Sequence, residues 1–267
     1  RGGSSSTNAG AKESVAAKPV ATSGESPAAK GNGEASNGSA ETTVPQPPTF
    51  ADGKAAYAAR KYGDATAIFE GYTARRPENA WGHYMLGLSA WKSGDLARAE
   101  SAFDKALSID PNHVKSHLNI SRVFIEQQRH EEAAARLTRA ADIDPSSVEV
   151  QRLLGRVYRL QGKTDEAVEA YRRAIELNEL DAWSMNNLGL VLLETQRAPE
   201  ALPLFEKAVE LRKNEPAFHN NLGMALEHTG RLQDAAAAYA SALAADPAYE
   251  KAKENLARVE ALTGERE

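Results

Sequence analysis

The chain has 267 residues, 42% of them hydrophobic and 6% aromatic, with a formal net charge of −5 and no cysteine. The lack of cysteine excludes disulfides and thiolate metal sites, and the acidic balance argues against nucleic acid, which usually demands a basic surplus. No run approaches the roughly 18 apolar residues that a membrane span needs.

Taken in chain order, residues 1–48 come first, with Gly, Ser, Ala, Thr, Asn and Pro in no period and only Val15, Val20 and Val44 as large apolar residues. Such a segment cannot bury enough surface to offset ordering entropy, so it is expected to be a disordered low-complexity tether. Tethers of this composition often follow a signal peptide or membrane anchor, so an exported, periplasmic or membrane-tethered location is expected ahead of a cytoplasmic one.

From Gln46 onward a single spacing of 34 residues organises the chain. A small-residue register runs Gly53, Gly87, Ser121, Gly155, Gly189, Gly223 and Ala257, and an alanine register runs Ala65, Ala99, Ala133, Ala167, Ala201 and Ala235. A third register is always large and apolar: Phe69, Phe103, Leu137, Tyr171, Phe205 and Tyr239. A fourth, Pro77, Pro111, Pro145 and Pro247, lapses at Glu179 and Lys213. The small residue is expected where two helices cross closely, and the alanine and the large residue, four apart, on one helical face. Turn signals at Ser93-Gly94-Asp95, Gln161-Gly162-Lys163 and Thr229-Gly230-Arg231 separate the helices, and proline ends the second helix of each pair. The spacing therefore predicts helix–turn–helix units at 46–79, 80–113, 114–147, 148–181, 182–215 and 216–249. A capping helix is expected at 249–262 and a short tail at 263–267. Pro203, one turn after Pro199, is expected to bend its helix slightly.

This residue grammar resembles the tetratricopeptide repeat (TPR). The resemblance covers residues 46–262 and implies an all-α, right-handed superhelical solenoid with the first helix of each pair lining the concave side. It also implies that the second, fifth, ninth and twelfth places of each unit face the groove. These are Trp81, Tyr84, Leu88 and Trp91, then Lys115, Leu118, Arg122 and Ile125, then Glu149, Arg152, Arg156 and Arg159. Trp183, Asn186, Leu190 and Leu193 follow, and after them Ala217, Asn220, Met224 and Glu227. The sixth place is Asn119, Asn187 and Asn221 in three units. Superhelices such as that of the O-linked N-acetylglucosamine transferase carry asparagines there to grip a peptide backbone, and the resemblance implies that role here. Ala51, Met85 and Leu153 interrupt the ladder. The carboxylate clamp of chaperone-binding relatives is not matched, since Tyr84, Leu88, Glu149 and Leu153 hold its places.

Catalytic motifs are weak. Gly162-Lys163-Thr164 ends like a phosphate-binding loop, but Val157 stands where that loop needs glycine. His113 and His117 are four apart but have no HExxH partner, so no metal and no cofactor are expected. The expectation is a non-catalytic adaptor that holds a protein or peptide segment with acidic and apolar residues. Its contacts would be Trp81, Tyr84, Trp91, Lys115, Asn119, Arg122, Arg152, Arg156, Arg159, Trp183, Asn187 and Asn221. One alternative is that the arginines merely pair with Glu126 and Glu194. Another is an assembly subunit that joins a larger envelope complex through its convex face or its ends.

Overall fold

The computed structural model describes residues 47–264. The expected tether thus lies outside the described residues except for Pro47 and Pro48, as do residues 265–267 of the expected tail. The first helices of the pairs are α1 (Phe50–Ala58), α3 (Ala80–Lys92), α5 (Val114–Glu126), α7 (Val148–Leu160), α9 (Ala182–Glu194) and α11 (Pro216–His228). Their partners are α2 (Tyr62–Arg75), α4 (Leu96–Ile109), α6 (His130–Ile143), α8 (Thr164–Leu177), α10 (Ala198–Leu211) and α12 (Leu232–Ala245). A closing helix, α13 (Glu250–Gly264), runs two residues past the expected end. Each helix packs on its neighbours in sequence, and first helices also touch the next first helix, as α3 does α5 and α9 does α11. The result is an all-α solenoid.

Helix α7 shows why these segments coil as they do. Val150, Leu153, Leu154 and Val157 recur at steps of three and four and are buried, while Arg156 faces out. Ser147 caps its start by accepting from the Val150 N–H, as Asn79 caps α3 and Asp95 caps α4. Pro203 sits inside the continuous helix α10, and Pro199 occupies its first turn, where a missing N–H costs nothing.

The six alanines of the second register are all fully buried. The glycine register meets a ring rather than a helix backbone. A Cβ on Gly53, Gly87, Gly155 or Gly189 would lie 2.7–2.8 Å from the ring of Phe69, Phe103, Tyr171 or Phe205, and one on Gly223 2.5 Å from Tyr239. The ring therefore lies against the first helix of its own unit, and any side chain would displace it. The one unit with Ser121 in the glycine place has Leu137, not an aromatic, in the ring place. Both are fully buried.

Turns repeat as faithfully. Arg60, Gly94, Gln128, Gly162, Gln196 and Gly230, again 34 apart, all have φ between 60° and 88°. Three non-glycine residues thus occupy the left-handed region that glycine occupies in the other three. At the exit of the second helices, Asp110, Asp144, Asn178 and Asp246 each accept from the backbone N–H two residues on, at 2.9–3.1 Å. Asn178 holds this turn where the proline register lapses at Glu179.

Candidate functional site: the groove along the first helices

Three adjoining depressions follow the first helices. The largest, 520 Å³, lies among Tyr57, Tyr84, Leu88, Trp91, Lys115 and Arg122. A second, 170 Å³, shares Trp91 and Arg122 with it and adds Ile125, Glu126 and Arg156. Arg156 is also a wall of the third, 220 Å³, with Arg152, Leu153, Trp183 and Asn187. A larger concavity of 760 Å³ lies elsewhere, against α7 and α8. Asp165, Glu166, Glu169, Arg172 and Arg173 line it, and Arg173 is paired with Glu176 at 3.0 Å. Its mixed charges and single aromatic, Tyr158, make it a weaker binding surface than the aromatic groove.

The aromatic candidates divide by exposure. Trp81 is 42% exposed, stacks on Tyr84 at 4.9 Å between ring centroids, and carries the Lys115 ammonium 5.5 Å from its ring. Trp183, 37% exposed, packs edge-on against Phe218 and lies under the Arg212 guanidinium. Trp91 is half-buried and donates its indole N–H to Glu126 at 2.8 Å. Tyr84 is buried, which raises its phenol pKa.

Most of the basic candidates are already engaged. Arg122 bonds Asn119 and pairs with Glu149 of the next unit. Arg152 donates to both oxygens of Asp181, a buried carboxylate, at 2.7 and 2.9 Å. Arg159 grips Glu194 with two nitrogens, which holds the guanidinium protonated. The pairing of Arg159 with Glu194 is the alternative expected above, whereas Glu126 serves Trp91 instead. Arg156 is exposed and has no ion pair among the described residues.

The asparagines form stitches between units. Asn119 is buried and donates to the Tyr84 hydroxyl at 3.3 Å and to the Lys115 carbonyl at 2.9 Å. Farther along, a directed chain of amides crosses three helices. Asn255 donates to Asn220 at 2.9 Å, Asn220 to Asn221 at 3.5 Å, Asn221 to Asn186 at 2.9 Å, and Asn186 to Asn187 at 3.5 Å. Asn119 and Asn221 therefore spend their amides inside the scaffold. Asn187 is half-buried, and its Nδ2 is free among the described residues, facing the Arg152–Trp183 depression. Sequence reasoning missed Asn186, Asn220 and Asn255 as a chain and Asp181 as a buried counter-ion. A search for polar pairs at a spacing of 35 finds Tyr84–Asn119, Asn186–Asn221 and Asn220–Asn255.

The histidines serve the exit turns. His83, His117 and His219 each bond through Nε2 to the backbone carbonyl six residues earlier, at 2.9, 3.0 and 2.7 Å. His113 bonds the Ser116 hydroxyl at 2.7 Å. Among the described residues no three His, Cys, Asp or Glu side chains cluster as metal ligands, and no helix is long and apolar enough to cross a membrane.

Helix pairs of this length, ring-on-glycine packing and left-handed turns at one interval define a class of repeat scaffold. Family models of the tetratricopeptide repeat match residues 90–157, 50–114 and 186–250, and a TPR repeat model matches 155–196. The chain belongs to the tetratricopeptide-repeat family, whose fold is a scaffold for protein–protein interaction. Among solved structures it is similar to YrrB, described as a TPR protein with an unusual peptide-binding site. That likeness has 21% identity and a TM-score of 0.56 over 70% of this chain and 96% of that one. It is also similar to MamA, at 26% identity and a TM-score of 0.56 over 63% of this chain and 97% of that one. A third likeness, to pilF of Pseudomonas aeruginosa, has 23% identity and a TM-score of 0.63 over 72% and 87%. No curated protein matches the chain in sequence.

Proposed function

We propose that this protein is a non-catalytic adaptor that holds an extended protein segment in the groove along its first helices. The observation that carries the reading is the run of adjoining depressions from Tyr57 to Asn187, which collects Trp91, Trp183 and the unpaired Arg156 along one surface. Exposed aromatic side chains in a concave surface are the usual anchors of a partner, because their burial releases much water at low entropic cost. The scaffold is preformed, since internal bonds already hold Asn119, Arg122, Arg152 and Arg159 in place, so little ordering is needed on binding. Cross-linking in the native cell would identify the partner, and titration against the purified full chain would test the surface. Trp91→Ala and Trp183→Ala should each weaken binding by about tenfold or more. Unchanged affinity in both variants would move the interface to another face.

A further inference from the structure

Within the groove, the pattern of internal ion pairs discriminates between kinds of ligand. Arg122, Arg152 and Arg159 face Glu149, Asp181 and Glu194 at pairing distance. A ligand carboxylate aimed at any of them would meet a resident carboxylate as well and would have to displace a formed pair. Arg156 is the exception: it projects from the middle of α7, forms a wall shared by two depressions, and has no carboxylate of its own.

We propose, building on the groove reading, that the bound segment carries a single acidic side chain seated on Arg156, with a large apolar side chain on either side. Arg156 lines one depression with Trp91 and the adjoining one with Trp183, so it stands between the two indoles. An apolar side chain on one side of the acid therefore meets Trp183, and one on the other side meets Trp91. Asn187 lies on the Trp183 side. Its Oδ1 is held by Asn186, so its free amide N–H faces the depression beside Arg156 and donates to a backbone carbonyl of the segment. Segments with several acidic residues are disfavoured, because Glu126, Glu149 and Glu194 border the same groove.

The test is a random peptide library of about twelve residues, panned on the full chain, followed by anisotropy titration of the enriched peptide and its Glu→Gln or Asp→Gln twin. The expected consensus is one acidic residue flanked on both sides by apolar residues, in either chain direction. The acidic peptide should bind wild type about tenfold more tightly than its twin, and Arg156→Gln should abolish that preference while still binding the twin. Arg156 bonds no other described residue, so this variant leaves the fold intact. Enriched peptides that lose affinity with Trp183→Ala but are polyacidic, uncharged or indifferent to Arg156→Gln would overturn the single-acid proposal and leave the groove reading standing. Enriched peptides indifferent to both Trp91→Ala and Trp183→Ala, or no enrichment at all, would overturn both.

Discussion

Asn221, 9% exposed, gives an amide hydrogen to Asn186, 4% exposed, from one unit to the previous one. The equivalent places two interfaces earlier are Leu153 and Leu118, both buried in a single apolar cluster. The same junction can thus be built from two amides or from two isobutyl groups. Asn221→Leu alone should destabilise by about 1–3 kcal/mol, because it strands the Asn186 carbonyl oxygen in the interior. Adding Asn186→Leu should recover more than half of that loss, read as the urea midpoint of a double-mutant cycle. Additive losses would mean that the amide bond carries no coupling.

His117 offers a second test at this scale. It is 4% exposed, its Nε2 is bonded to the Pro111 carbonyl, and its Nδ1 is buried without a partner. Burial holds its pKa below the usual histidine range, helped by Arg136 and Arg139 and opposed by the Pro111 bond and Asp110. His113 is lowered in the same way, with Lys115 adding to burial. The unfolded chain therefore takes up protons before the folded one does. The stability from both imidazoles is complete above about pH 6.5 and is lost as pH falls below it toward the folded values. Melting temperature should drop between about pH 7 and pH 5, and His117→Gln should flatten that slope. An unchanged slope would assign it to other groups.

At the scale of the element, each helix pair is held by a ring lying on a bare stretch of backbone. Gly155→Ser should cost about 1–3 kcal/mol, since its Cβ would sit 2.8 Å from Tyr171. Gly155→Ser with Tyr171→Leu rebuilds the combination found at Ser121 and Leu137 and should be more stable than Gly155→Ser alone, by thermal melt. A double variant no better than the single one would show that the ring is not the obstacle. This packing was half legible in the sequence. Registers repeated six times announce helix pairs, because steric constraints on glycine, alanine and proline act through residues close in the chain. What each glycine faces was not legible, since the ring arrives from the next helix. The site was legible to the same degree. Trp91 and Trp183 line the depressions as their positions suggested, whereas Trp81 lines none of them, and Arg156 looks no different from Arg152 in sequence. What separates them is Asp181, which reaches back to Arg152 from a turn 29 residues on.

For the whole molecule, stability is a chain of local junctions. Helix α13 closes the last one: Val259 is fully buried, Arg258 pairs with Glu227 at 2.6 Å, and Asn255 ends the amide chain. Burial pushes the Glu227 carboxyl up, but bonds from Arg258 and Tyr239 outweigh it and hold it below the usual range. Removing residues 250–267 should expose the cluster around Leu226, Leu232 and Tyr239 and accelerate amide exchange in α11 and α12. Exchange in α3–α6 should stay unchanged, as expected of a solenoid whose units feel only their neighbours. Equal acceleration in every helix would show one global unit instead.

Because each junction is written half on one unit and half on the next, the order of the units is itself encoded. Tyr84 meets Asn119, Leu118 shares its cluster with Leu153, Arg152 shares a depression with Asn187, and Asn186 meets Asn221. Swapping the unit at 148–181 with that at 182–215 would leave the composition intact yet set Asn187 against Leu118. A duplication that copied one unit unchanged would mismatch at a seam wherever its two edges differ. The units at 182–215, with Asn186 on one edge and Asn187 on the other, and at 216–249, with Asn220 and Asn221, could be copied in tandem and keep every new seam amide to amide. In this solenoid, growth by repetition is confined to its C-terminal two units.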